Sequence, residues 1–157
     1  MKDINIKNAI WAGIISGVIF MMLEMILVPI FLGGSPWGPP RMIAAIILGK
    51  EVLPPPATFD FGVLMVAMML HFVLSVIYAV ILAMIINRMS LGLAIVTGAG
   101  FGLVLYLLNF YIMTGIFPWF ANARNWVSVL SHIIFGIAAA WSYVGLVRRH
   151  GHSHVTE

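Results

Sequence analysis

The chain contains no cysteine. That absence excludes disulfides, thiolate metal centres and cysteine nucleophiles. Charge is also scarce: only 8% of the 157 residues are Asp, Glu, Lys or Arg. A water-soluble domain carries about 25%, so there is too little charge here to cover a water-facing surface. No Walker loop, dinucleotide fingerprint or acyl-transfer set is present. Ser75 and His71 lie four apart on one helical face, but a Ser–His pair inside lipid has no water route for hydrolysis. Nor is there a basic-aromatic cluster of the kind that grips nucleic acid.

What is abundant is apolar sequence, at 62% of the chain with a mean hydropathy of +1.09. Four runs reach the roughly 20 residues needed to cross a bilayer. They cover residues 8–32, 61–86, 91–116 and 126–147. The expected fold is therefore all-α: one integral membrane domain, a four-helix bundle occupying the whole chain. The first run is too long for a cleaved signal segment and is read as a retained helix. Asn87–Ser90 is so short that the second and third runs must be antiparallel neighbours. Gly33-Gly34-Ser35-Pro36 ends the first run, and Pro39-Pro40 opens a stretch, 39–49, too short to span. A short helix at the membrane interface suits it, and Pro54-Pro55-Pro56 returns the chain to water.

Lys2, Lys7, Arg88, Arg148 and Arg149 fall on one side of the bundle, and Arg41, Lys50 and Arg124 on the other. The excess favours both termini in the cytoplasm, in a bacterial or archaeal inner membrane. Trp37, Trp119 and Trp126 then form an aromatic belt on the outer side.

The two halves of the chain match. Gly13/Gly17 and Glu24 align at one constant offset with Gly98/Gly102 and Asn109, while His71, Ser75 and Ala79 align with His132, Gly136 and Ala140. This reads as a tandem repeat of a two-helix hairpin around an axis along the membrane normal. The Gly pairs are expected to bring the first and third helices into close contact.

Ionisable residues inside a membrane segment are costly, so each is a functional candidate. At 1.5 Å per residue, Glu24 lies about 12 Å and His71 about 15 Å from the end of the bundle that carries residues 39–49. Asn109 and His132 fall in the same layer. Two imidazoles and a carboxylate, His71, His132 and Glu24, suit a transition metal such as Cu, Fe or Zn, and two facing His suit haem b. Asn109, Ser75, Tyr78, Met25 and Met68 are candidate supports, and Tyr106 lies near Asn109. Equally, the polar groups could simply bond one another, Glu24 to one His and Asn109 to the other, and fix helix register. Methionine near this layer has a plain reading too, as a filler of irregular gaps. The tail's alternating His150, His152 and His154 offer a second metal site or an ordinary solvated end.

Gly-x-x-x-Gly followed by an acidic residue, then His71-x-x-x-Ser75-x-x-Tyr78-Ala79, resembles small four-helix membrane proteins of bacteria and archaea, some of which carry a sodium:proline symporter label. The resemblance implies the fold and no particular activity. The expected roles are metal or haem binding in redox support, with alternatives as an accessory subunit of a larger membrane complex, or an oligomeric transporter or channel.

Overall fold

A computed structural model describes residues 4–55 and 57–152, with side chains described as far as residue 148. The four apolar runs fold as α1 (Ile6–Leu32), α3 (Phe61–Ile86), α4 (Leu91–Leu107, continued through Gly115 by tighter and wider turns) and α5 (Trp126–His152). Each is long and apolar enough to cross a membrane, which makes the chain a multi-pass helical bundle by length and composition. A short helix, α2 (Gly38–Leu48), lies between α1 and α3.

The helix starts are local chemistry. Asn5, Asp60 and Ser90 each accept a hydrogen bond from the backbone N–H three residues on, at 3.0, 2.9 and 3.4 Å, supplying a partner that the first turn lacks. α1 stops at Gly33, whose φ of 66° is the left-handed conformation that a residue without Cβ adopts freely. The long helices are apolar around their whole circumference, so large side chains such as Met22, Ile26, Met69, Val96, Val104 and Trp141 stand exposed, as lipid-facing positions do.

Three interfaces organise the bundle: α4 against α5, α1 against α5, and α1 against α3. In lipid, helices associate through van der Waals contact, which favours small residues. A Cβ added at Gly13 would sit 3.0 Å from the Ser75 carbonyl oxygen and 3.1 Å from Ala79 Cβ. One added at Gly98 would collide with the Gly136 carbonyl oxygen and sit 2.8 Å from Ala140 Cβ. The glycine pairs therefore seat α1 on α3 and α4 on α5. This corrects the expectation that they join the first and third long helices: α1 and α4 share no sizeable interface.

Small side chains also decide where the bundle is tight. Ala9, Ala12, Ala79, Ala83, Ala94, Ala139 and Ala140, with Leu82, Ile86 and Tyr143, close the core at the end where α1 and α4 begin. There the Tyr143 hydroxyl donates to Asn87 Oδ1 at 2.8 Å, tying α5 to the α3–α4 link. Toward the other end the inward residues are larger and the helices leave space between them. α2 packs on α3 and walls that space with Pro39, Met42, Ile43 and Ile46. Trp119 fastens it from the far hairpin, its indole N–H donating to the Met42 carbonyl at 3.1 Å. Arg41 and Arg124 hold the loops at this end. Arg41 donates to the Thr58 and Val52 carbonyls at 2.9 and 3.0 Å. Arg124 donates to the Phe110 carbonyl at 2.6 Å and lies 4.3 Å over the Tyr111 ring.

Candidate functional site

The space between the helices at the α2 end is a partly open cavity of about 530 Å³. One stripe of α1, Phe20, Glu24, Val28 and Leu32, runs down its wall at four-residue spacing. α3 contributes His71, Leu74, Ser75 and Tyr78, α4 contributes Leu105, Asn109, Phe110 and Met113, and α5 contributes Ser128, His132 and Phe135. The lining is mostly hydrocarbon and aromatic, with a few polar groups at one depth. No Lys or Arg is among these lining residues. Concave, apolar, with a few convergent polar atoms: this is the make-up of a small-molecule pocket, and the volume lies within the usual range of about 300–1,000 Å³.

Six of the sequence-selected residues meet here: Glu24, His71, Ser75, Tyr78, Asn109 and His132. Met25 and Met68 do not line the cavity; Met42 and Met113 do. Tyr106 is buried behind the lining, its ring 5.9 Å from that of His132. The side chains of His150 and His152, and all of His154, lie outside the described residues.

The polar atoms divide into a closed chain and an open group. His132 Nδ1 lies 2.7 Å from the Ser128 carbonyl oxygen. A carbonyl can only accept, so Nδ1 carries the proton and Nε2 of the neutral ring is a lone pair. Asn109 Nδ2 donates to that nitrogen at 3.2 Å, and the Tyr78 hydroxyl donates to Asn109 Oδ1 at 3.3 Å. Tyr78, Asn109, His132 and the Ser128 carbonyl thus form one relay with each role assigned. Asn109 reaches it from a widened helical turn, Leu108–Ile112, that interrupts α4. Such turns shift the phase of the residues that follow and recur at functional sites.

His71 is fixed separately. Its Nε2–H donates to the Gly17 carbonyl at 2.8 Å, which leaves Nδ1 as a lone pair with no partner among the described residues. The Phe20 ring packs against both imidazoles, stacked on His71 at 5.5 Å and edge-on to His132 at 4.8 Å. Among the described residues no three of His, Cys, Asp and Glu stand close enough to share a metal ion. Glu24, His71 and His132 therefore share a cavity without forming a three-ligand centre.

Glu24 makes the open group. Its carboxyl is 6% exposed and faces the hydroxyls of Ser128 and Ser131, which are 1% and 0% exposed. The groups are near neighbours, but no hydrogen bond of full geometry closes between them: Glu24 Oε1, Ser128 Oγ and Ser131 Oγ are all buried without a well-formed partner. Of the alternative in which the polar groups bond one another, the Asn109–His132 pairing is formed and a Glu24–imidazole bond is not. The two serines carry little signal in the sequence, because a helical Ser usually bonds back to its own chain. Ser16 does so, to the Ala12 carbonyl at 2.8 Å. The legible signal was Ser128-x-x-Ser131-His132, three polar residues within five positions of an apolar run.

Comparison with known proteins gives no match to a family model, a curated protein or a solved structure. The functional reading therefore rests on the cavity itself.

Proposed function

We propose that the protein binds a small amphipathic molecule within the membrane, its apolar part in the cavity and its polar group in the layer of Glu24, Asn109, His71 and His132. The observation that carries this reading is a cavity of about 530 Å³ walled by hydrocarbon on five helices and holding unpartnered polar atoms at one depth. Buried polar atoms without partners cost roughly 1–3 kcal/mol each. A core built for stability alone would pair them or replace them, so their persistence favours a bound partner.

In this reading the relay of Tyr78, Asn109 and His132 is scaffold, and Glu24 with His71 Nδ1 is the receiving side. A metal or haem enters through His71, whose Nδ1 is free to ligate, rather than through a His71–His132 pair, because both nitrogens of His132 are engaged. The positive-charge bias favours both termini in the cytoplasm and, with them, the cavity mouth on the outer face. The matching contacts of Gly13 with Ser75 and Ala79, and of Gly98 with Gly136 and Ala140, favour a tandem hairpin origin, with the first copy modified by α2 into a cavity wall.

The test is native mass spectrometry of protein released from lipid nanodiscs, with an absorption spectrum and metal analysis of the same preparation. A retained small molecule, lost in Ile43→Trp and kept in Ile47→Trp, is expected. Both residues are on α2, but only Ile43 lines the cavity, and Ile47 is 59% exposed. Loss in both variants, or in neither, contradicts the reading. A Soret band or stoichiometric metal assigns the occupant to the imidazole side instead.

A further inference from the structure

The cavity's polar layer is asymmetric, and the asymmetry defines what it would hold. On the α4 side the relay is complete, and it offers a ligand little. On the α1–α5 side three oxygens are orphaned: Glu24 Oε1, Ser128 Oγ and Ser131 Oγ. They come from only two helices, which share a direct interface, so their grouping is not a loop accident. Each of the three residues is more than nine-tenths buried, and Glu24 and Ser128 form part of the cavity wall.

Their chemistry is rich in acceptors. A carboxylate accepts only, and each serine hydroxyl brings two lone pairs beside its single O–H donor. Among the described residues no Lys or Arg lines the cavity, so none of them answers the carboxylate there. Aromatic rings, Phe20, Phe110 and Phe135 among them, line the same space. Aromatic faces attract organic cations, most strongly where water is excluded. An alkali or divalent metal ion wants a fuller oxygen shell than three groups and gains nothing from the surrounding hydrocarbon. A primary ammonium carries three N–H donors for three unpartnered oxygens, and its alkyl body would fill the apolar remainder.

Resting on the cavity reading above, we infer that the bound molecule is a cationic amphiphile, an alkyl or aryl amine whose ammonium sits against Glu24, Ser128 and Ser131. Glu24 supplies charge, the two serines supply acceptors and fix the nitrogen's position, and the apolar wall reaching from Val28 and Leu32 to α2 selects for a compact hydrocarbon body.

Octylamine, octanol and octanoate test this directly, since they share one tail and differ in the charge of the head. Full-length protein in zwitterionic nanodiscs is titrated with each, and the thermal unfolding midpoint is followed by tryptophan fluorescence; ligand binding raises that midpoint by mass action. Comparing variants at equal probe concentration cancels partitioning of the probe into lipid. Octylamine is expected to bind at least about tenfold more tightly than octanol, a difference of about 1.4 kcal/mol. Octanoate is expected to be weakest. Glu24→Gln, which keeps size and hydrogen bonding but removes the charge, should reduce octylamine to the octanol level and leave octanol unchanged. Should E24Q not fold, Ser131→Ala keeps the carboxylate and should still weaken octylamine relative to octanol. Equal binding of octylamine and octanol to the unmodified protein overturns the inference. So does an amine preference that survives E24Q or, where E24Q does not fold, S131A. In each of those cases octanol binding that is blocked by I43W leaves the cavity reading standing. If none of the three probes binds, that reading fails as well.

Discussion

Three glycines in one turn and a half of α4 offer a sharp test of how the bundle is held. Gly98, Gly100 and Gly102 are chemically identical and nearly adjacent, yet their surroundings differ completely. A Cβ at Gly102 would collide with the His132 carbonyl oxygen and lie 2.7 Å from its carbon, and one at Gly98 would meet the Gly136 carbonyl in the same way. At Gly100 no atom stands within 4 Å. Alanine in a helix is favoured over glycine by about 1 kcal/mol. Overpacking a close interface costs about 1–3 kcal/mol. At Gly98 and Gly102 the obstacle is helix backbone, which cannot rotate aside as a side chain can, so the upper end of that cost applies. Gly102→Ala and Gly98→Ala should therefore each lose about 2 kcal/mol net, while Gly100→Ala gains up to about 1 kcal/mol. The gap of roughly 3 kcal/mol corresponds to about a hundredfold in the folded-to-unfolded ratio. Reversible unfolding in mixed micelles of mild detergent and dodecyl sulfate, followed by circular dichroism, measures it. Equal effects at the three positions would refute the claim that carbonyl contact, rather than glycine content, sets the stability of the α4–α5 pair.

Other consequences are as specific. Ser131→Ala and Ser128→Ala should leave the unliganded protein as stable or slightly more stable, because they remove buried hydroxyls that have no partner; a loss above about 1 kcal/mol would show that those hydroxyls are already satisfied. Asn109→Leu should cost about 1–3 kcal/mol by orphaning His132 Nε2 and the Tyr78 hydroxyl, and Tyr78→Phe, which breaks only the outer link of the relay, about 1 kcal/mol, both read in the same unfolding assay. Arg124→Ala should speed amide hydrogen exchange from Phe110 to Ala123 and leave α1 and α3 unchanged, since it deletes the bond to the Phe110 carbonyl, the 3.0 Å bond to Thr114 Oγ1 and the contact with Tyr111.

Four membrane-length helices were legible in the sequence because lipid is a demanding solvent. A helix that crosses it must be long and nearly free of charge. The ends of the long helices lie within about two residues of the expected runs, except that α5 continues to His152 where the apolar run ends at 147. Depth was legible for the same reason: rise per residue placed Glu24, His71, Asn109 and His132 in one layer, and all four line one cavity. The existence of close glycine contacts was legible as well. Which helices they join was not, because a Gly-x-x-x-Gly row marks a groove and says nothing about the ridge that fills it.

The remaining features were decided by tertiary structure. A helix that is apolar all round has no inward face written in its sequence, so rotational phase is set by its neighbours. Phase is what turns Glu24 toward two hydroxyls of α5 rather than toward an imidazole, and what brings Phe20 against both histidines. The widened turn at Leu108–Ile112 sets where Asn109 points, and no local residue pattern announces it. Composition marked α2 as too short to span, but only its packing on α3 made it a wall of the cavity. The sequence by itself thus determined solvent, span and depth, which depend on how many apolar residues occur in a row. The structure decided partners and orientation, which depend on contacts between segments far apart in the chain.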